Sequence, residues 1–238
     1  GHVLTRKNTD RYDIVIIQSG ATLTLIDSNT GNLQHKFNAG EGGWTKAADD
    51  ATGEGIVTVT GGVIYGDAGS SIDTRGIKIL DGKLEMYGGN IAGIGNGYTH
   101  AYGGGVYVSD KCTFNMYGGS IKGCYVFSDG GGVYVAAGGT FTMGGDSTIE
   151  GCNARSGGVY NAGTFTMSGN SCIRNCIYRS GAGSGGVHSA GTFNLNGGSV
   201  VRSLSGYNDN KELVGICNAG TLNATISVSC WVSNYSII

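Results

Sequence analysis

Gly103-Gly-Gly-Val-Tyr-Val, then Thr113-Phe-Asn-Met-Tyr-Gly-Gly-Ser-Ile-Lys-Gly-Cys124, is the stretch that decides the fold, because the chain repeats it. It returns as Gly130-Gly-Gly-Val-Tyr-Val, Thr140-Phe-Thr-Met and Ile149-Glu-Gly-Cys152, and again as Gly157-Gly-Val-Tyr, Thr164-Phe-Thr-Met and Ile173-Arg-Asn-Cys176. A fourth copy reads Gly185-Gly-Val-His, Thr192-Phe-Asn-Leu and Val200-Val-Arg-Ser203. Val106, Val133, Val159 and Val187 recur at intervals of 27, 26 and 28 residues. A unit of this length cannot bury its apolar face alone, so the period predicts a solenoid.

Each copy holds three short segments that alternate apolar with polar residues, the pattern of strands rather than helices. Glycine pairs between them supply the positive φ angles of tight corners, whereas a helix would lose roughly 1 kcal/mol at each. Three strands per turn, each pairing with its equivalent in the next turn, predict an all-β, right-handed parallel β-helix with three parallel sheets and about 27 residues per coil. The 47 glycines among 238 residues and the absence of proline agree with this, since no strand loses a ladder donor.

The wording of the repeat, Gly-Gly-Gly-Val-Tyr-Val with Gly-Thr-Phe-Thr-Met and Gly-Gly-x-Ile-x-Gly, resembles the β-helix repeats of large bacterial surface and adhesin-like proteins of gut anaerobes, distantly like those of chlamydial polymorphic outer-membrane proteins. The resemblance covers about residues 76–220. It implies secretion and display at the cell surface, and no shared catalytic residues. The chain departs from that pattern in placing Cys124, Cys152 and Cys176 where such repeats often have asparagine.

Taken from its start, the chain reads as one domain of residues 1–238, with irregular N-terminal coils and a cap over 1–75, regular coils over 76–220, and a C-terminal coil and cap over 221–238. Asp13 to Asp27 predicts the first coil. Ser28 to Gly55 breaks the period, as a loop leaving the column or as part of an atypical end coil. Strands return with Ile56-Val-Thr-Val and Val63-Ile-Tyr. Gly93 to His100 and Ser203 to Leu213 read as longer corners on one edge, and Trp231 as a lid on the last coil.

Charged residues make up 13% of the chain and the net charge is −2, without the basic stripe that nucleic acid or an anionic membrane surface would require. No apolar run is long enough to span a bilayer, so this segment is not expected to insert. The expected setting is extracellular or cell-surface, as a monomeric part of a longer chain. Seven cysteines without a Cys-x-x-Cys pair argue against zinc ribbons and redox motifs. Cys124, Cys152 and Cys176 should stack one coil apart, as free thiols or with one disulfide between neighbours, and the odd total leaves at least one thiol unpaired within the chain.

Alternation also separates inside from outside. With the valines pointing in, Lys78, Tyr107, Tyr134, Tyr160, His188 and Cys217 form an outward column. Of these, Tyr107, Tyr134, Tyr160 and His188 are the candidate ligand-binding residues: aromatic faces stack on sugar rings, although neighbouring tyrosines also simply shield one another in a sheet. A glycan or a host surface protein is the expected partner. Phe114, Phe141, Phe165 and Phe193 should stack inside, leaving outward threonine pairs that resemble ice-binding faces but are interrupted by asparagine. Lys122, Glu150 and Arg174 should form an outward charge ladder.

Many right-handed β-helices are polysaccharide lyases or glycoside hydrolases, so the alternative reading is an enzyme with Asp73, Asp81 and Glu85 as catalytic candidates. That chemistry needs clustered carboxylates, either as calcium ligands or as an acid paired with a base or nucleophile. The spacing of these three does not declare a cluster. No cofactor is implied, and His2, His35, His100 and His188 fall too far apart in the register to suggest a metal site.

Overall fold

Apolar residues at every second position of short segments, repeated once per coil, stack into continuous parallel ladders in the computed structural model. It describes residues 2–5, 13–28, 33–40, 42–66, 75–96, 102–179, 184–201, 204–205 and 215–225. Three seven-stranded parallel sheets run the length of a β-helix. The valine sheet contains Val15–Ile17, Ile77–Ile79, Val106–Val108, Val133–Val135, Val159–Asn161, Val187–Ser189 and Ile216–Asn218. The phenylalanine sheet runs from Ala21–Leu25 through Thr113–Met116 and Thr140–Met143 to Thr221–Ala224, and the isoleucine sheet from Val3–Thr5 through Ser120–Lys122 to Ser199–Val201.

The registers are those that the repeat predicts. Val106 pairs with Val133, and Val133 with Val159. Phe114, Phe141, Phe165 and Phe193 follow one another in adjacent strands, fully buried. Their ring centroids are 4.8 Å apart at each step, with interplanar angles of 12°, 6° and 2°. In-register parallel pairing sets this spacing, since neighbouring strands lie about 4.8 Å apart. Met116, Met143 and Met167 stack beside them at 0% exposure.

A fourth, narrow ladder accompanies the three sheets. Gly95–Asn96, Tyr125–Val126, Asn153–Ala154, Ile177–Tyr178 and Leu204–Ser205 pair in parallel just after the position of the cysteines. Two-residue strands are too short to show alternation, which is why the sequence pattern does not reveal them. The three cysteines themselves are free and completely buried. The isoleucines and cysteines together explain the glycine before the valine: a β-carbon on Gly105 would lie 2.6 Å from Ile121 Cγ2, one on Gly132 2.8 Å from Ile149 Cγ2 and 3.3 Å from Cys152 Sγ, and one on Gly158 2.6 Å from Cys176 Sγ. Burial pushes the Cys152 thiol up, and a hydrogen bond with Cys152 together with burial does the same for Cys176, so both remain inert thiols.

The segment that breaks the period leaves the column. Gln34–Asn38 pairs antiparallel with Thr45–Lys46 and with Ile56–Thr60, forming a flap inserted between the phenylalanine and isoleucine strands of the first coil. Ile56-Val-Thr-Val is thus a flap strand rather than a strand of the column, because its period-two pattern fits either setting. Phe37, Trp44 and Val59 pack with Val63 and Ala92 in a small second core. Trp44 reaches furthest: its backbone N–H donates to Gly123 O at 2.8 Å, and its indole covers Gly123 and lies against Gly151 one coil on. The expected lid at Trp231 and most of the two long corners lie outside the described residues.

Candidate ligand-binding face

The middle residue of each valine-sheet strand points outward, and register alone brings these residues into a line. Lys78 pairs with Tyr107, Tyr107 with Tyr134, Tyr134 with Tyr160, Tyr160 with His188, and His188 with Cys217. Ring centroids are 5.3 Å apart for Tyr107 and Tyr134, 5.0 Å for Tyr134 and Tyr160, and 5.3 Å for Tyr160 and His188, with planes within 12° of parallel. At that spacing no third ring fits between two neighbours. The Arg75 guanidinium lies 5.3 Å from the Tyr107 centroid and covers its remaining face. A sugar therefore meets the edges and hydroxyls of this stack rather than its faces.

The stack is anchored by charges set in the corner before each valine strand. Asp129, 5% exposed, accepts from Arg155 Nε at 3.1 Å and Nη2 at 2.5 Å. Arg75 is held by Tyr102 O at 2.8 Å and by Asp13 Oδ1 at 3.2 Å. The Tyr102 ring leans on Tyr134, 4.8 Å between centroids at 48°. Burial, reinforced by Tyr160 and Tyr107, pushes the Tyr134 phenol up to about 12. It is a neutral donor and acceptor, not a base. Burial also lowers the His188 pKa, against the pull of Asp129, and His188 Nδ1 is buried without a hydrogen-bond partner.

Of the alternative catalytic residues, Asp81 and Glu85 are described. Asp81 is exposed at the corner after Ile77–Ile79. Glu85 points out of the phenylalanine sheet and pairs with Lys83 Nζ at 2.5 Å. Asp73 lies outside the described residues. Among the described residues no group of three or more His, Cys, Asp or Glu side chains could hold a metal ion.

The charge ladder on the isoleucine sheet forms as its register predicts, with Glu150 3.6 Å from Lys122 and 3.1 Å from Arg174. Burial of Glu150 works against ionisation, but the Arg174 hydrogen bond and the charges of Lys122 and Arg174 outweigh it and lower its pKa. Sequence reasoning missed Tyr102, the Asp129–Arg155 pair and the exposed pair Tyr87 and Tyr117. The Asp129–Arg155 pair had a signal: the two residues stand one period apart in equivalent corners, an arrangement that brings opposite charges together in any in-register solenoid.

Among the described residues the fold is a parallel β-solenoid with a single antiparallel insertion. Comparison with protein-family models, with curated proteins and with solved structures finds no match for the chain. Among the described residues no helix is long and apolar enough to cross a membrane.

Proposed function

We propose that this chain is a non-catalytic module of a secreted or cell-surface bacterial protein, of the adhesin-like β-helix type, that presents the valine-sheet face to a glycan or host-protein ligand. The observation that carries the reading is the Tyr107–Tyr134–Tyr160–His188 stack beside the Asp129–Arg155 pair. Phenols at a fixed spacing and an oriented guanidinium form a row of directional hydrogen-bonding groups on a rigid support. Such rows suit ligands with repeating hydroxyls, and the preorganised sheet limits the ordering entropy lost on binding. The wording of the repeat, which resembles surface-displayed proteins, supports the setting.

The test is a glycan array probed with the intact protein and with a triple variant, Tyr107→Phe, Tyr134→Phe and Tyr160→Phe. Phenylalanine keeps the stack and removes only the hydroxyls. Binding that falls at least about tenfold, the loss of roughly 1.4 kcal/mol, with an unchanged melting temperature supports the reading. Equal binding by the two proteins, or release of shortened glycan by the wild type, would overturn it.

A further inference from the structure

The flap covers a groove that the column itself makes. The residue after each isoleucine strand is Gly93, Gly123, Gly151 and then Asn175, an equivalence fixed by backbone bonds from Gly93 N–H to Lys122 O, Gly123 N–H to Glu150 O and Gly151 N–H to Arg174 O. Three consecutive coils thus lack a side chain at this corner, and the flap fills the space. A β-carbon on Gly93 would lie 2.6 Å from Trp44 O and 3.2 Å from Phe37 Cε1, and one on Gly151 would lie 3.2 Å from Trp44 Cζ2.

One flap side chain is badly suited to this burial. His35 lies on the same strand face as Phe37 and is 2% exposed. Its ring hydrogen-bonds to the Gly61 backbone, and its Nε2 is buried without a hydrogen-bond partner. The groups around it do not compensate. Asp49, on the turn after Thr45–Lys46, favours the imidazolium, but it is bound to Lys46 Nζ at 2.5 Å, and Lys46 and the amino terminus oppose protonation. Lys36 turns to the other face and donates to Thr58 Oγ1 at 2.7 Å, and Tyr65 of the column packs edge-on against Phe37. Asp27, beside Gly61, accepts from Gly62 N–H at 2.8 Å, and His2, whose carbonyl accepts from Val63 N–H, is exposed. Burial outweighs the pull of Asp49 and lowers the His35 pKa.

We propose that the flap is an acid-released cover: protonation of His35 frees it from the Gly93–Gly123–Gly151 groove while the column stays folded. An imidazolium left under the flap would carry a charge and an Nε2–H without an acceptor, a combination that a buried site strongly disfavours. Release of the flap lets water solvate both. The docked flap holds His35 neutral, whereas the released flap takes up a proton near pH 6.5. Docking therefore weakens as pH falls through that value, by up to about tenfold for each unit, until the docked ring itself protonates. The column can outlast the flap because its coils pair through ladders in which the flap strands take no part. The occupant of the groove is the flap itself, and the device does not depend on the function proposed for the valine-sheet face.

The experiment is amide hydrogen exchange of the whole protein at about pH 7.5 and about pH 5.5, corrected for the intrinsic dependence of exchange on pH. Amides of Gln34–Asn38 and Ile56–Thr60 should open about tenfold more often at the lower pH. At both values they should exchange faster than those of Thr140–Met143 in the middle of the column. His35→Gln, which keeps a donor for the Gly61 backbone, and His35→Phe, which keeps the buried volume, should both lose the response to acid. His2→Gln should keep it. Flap and column amides that exchange at one common rate, a flap indifferent to the change of pH, or a response that survives in either His35 variant or disappears in His2→Gln would overturn the proposal.

Discussion

The indole of Trp44 occupies the space that a side chain on Gly123 would fill, so the flap and the column meet at a contact that only glycine allows. Gly123 also holds φ at 59°, a conformation that L side chains rarely adopt. Both demands fall on one residue of the Ile-Lys-Gly-Cys corner.

Gly123→Ala should therefore cost at least about 2 kcal/mol, from overpacking together with backbone strain. Trp44→Ala should cost about 3 kcal/mol as a large buried aromatic is lost. Because the two residues touch, the double variant should be more stable than the sum of the single costs implies, with a coupling of about 0.5–3 kcal/mol. Urea midpoints of the four proteins form the cycle. Strict additivity would mean that the indole does not rest on Gly123.

In the middle of the column, Phe141 lies between Phe114 and Phe165 at 4.8 Å from each, while Thr142 faces outward. Phe141→Ala should lose about 3–5 kcal/mol and Thr142→Ala less than about 1 kcal/mol. Calorimetric melting of the two variants checks this, and equal losses would contradict the assigned faces.

Acid should weaken the protein in two steps. His35 and His188 both titrate below 6.5 in the folded state, chiefly because they are buried. As pH falls through 6.5 the unfolded chain takes up protons that the folded chain does not, so stability declines. Glu150 has the usual sign for a paired carboxylate: its contribution is full above 4.5 and is lost as pH falls through its lowered folded value. Denaturation midpoints should drop between about pH 7 and 5, less steeply in His188→Phe. A further drop below about pH 4.5 should be smaller in Glu150→Gln. A flat profile from pH 7 to 5 would contradict the first step.

Much of this was legible in the residues. The positions of Val106 and Val133 give the coil, and the alternation in Thr-Phe-Thr-Met gives the inside, because a one-residue slip would turn every phenylalanine outward. The line of Tyr107, Tyr134, Tyr160 and His188 follows from the same register. How the rings lie did not follow, since the pairing fixes their spacing but not whether neighbours cover each other's faces. The flap was illegible for a different reason. Its strands pair antiparallel with one another, and among the described residues only once, so nothing repeats, and the contact of Trp44 with a glycine some 80 residues away leaves no local pattern. The narrow ladder fell below the length at which periodicity can be seen.

Stacked copies of one motif carry little in their interior to tell a coil which neighbour is its own. Phenylalanine meets phenylalanine and isoleucine meets isoleucine whichever pair of coils docks, so a folding chain has several nearly equivalent ways to close, the kind of degeneracy that roughens a landscape. Trp44 breaks the tie. It needs glycine in two consecutive corners, which Gly123 and Gly151 provide, whereas the equivalent position in the following coil is Asn175. Shifting the flap one coil toward the C-terminus would set the indole against that side chain, so the insertion bars an otherwise self-similar column from slipping in that direction.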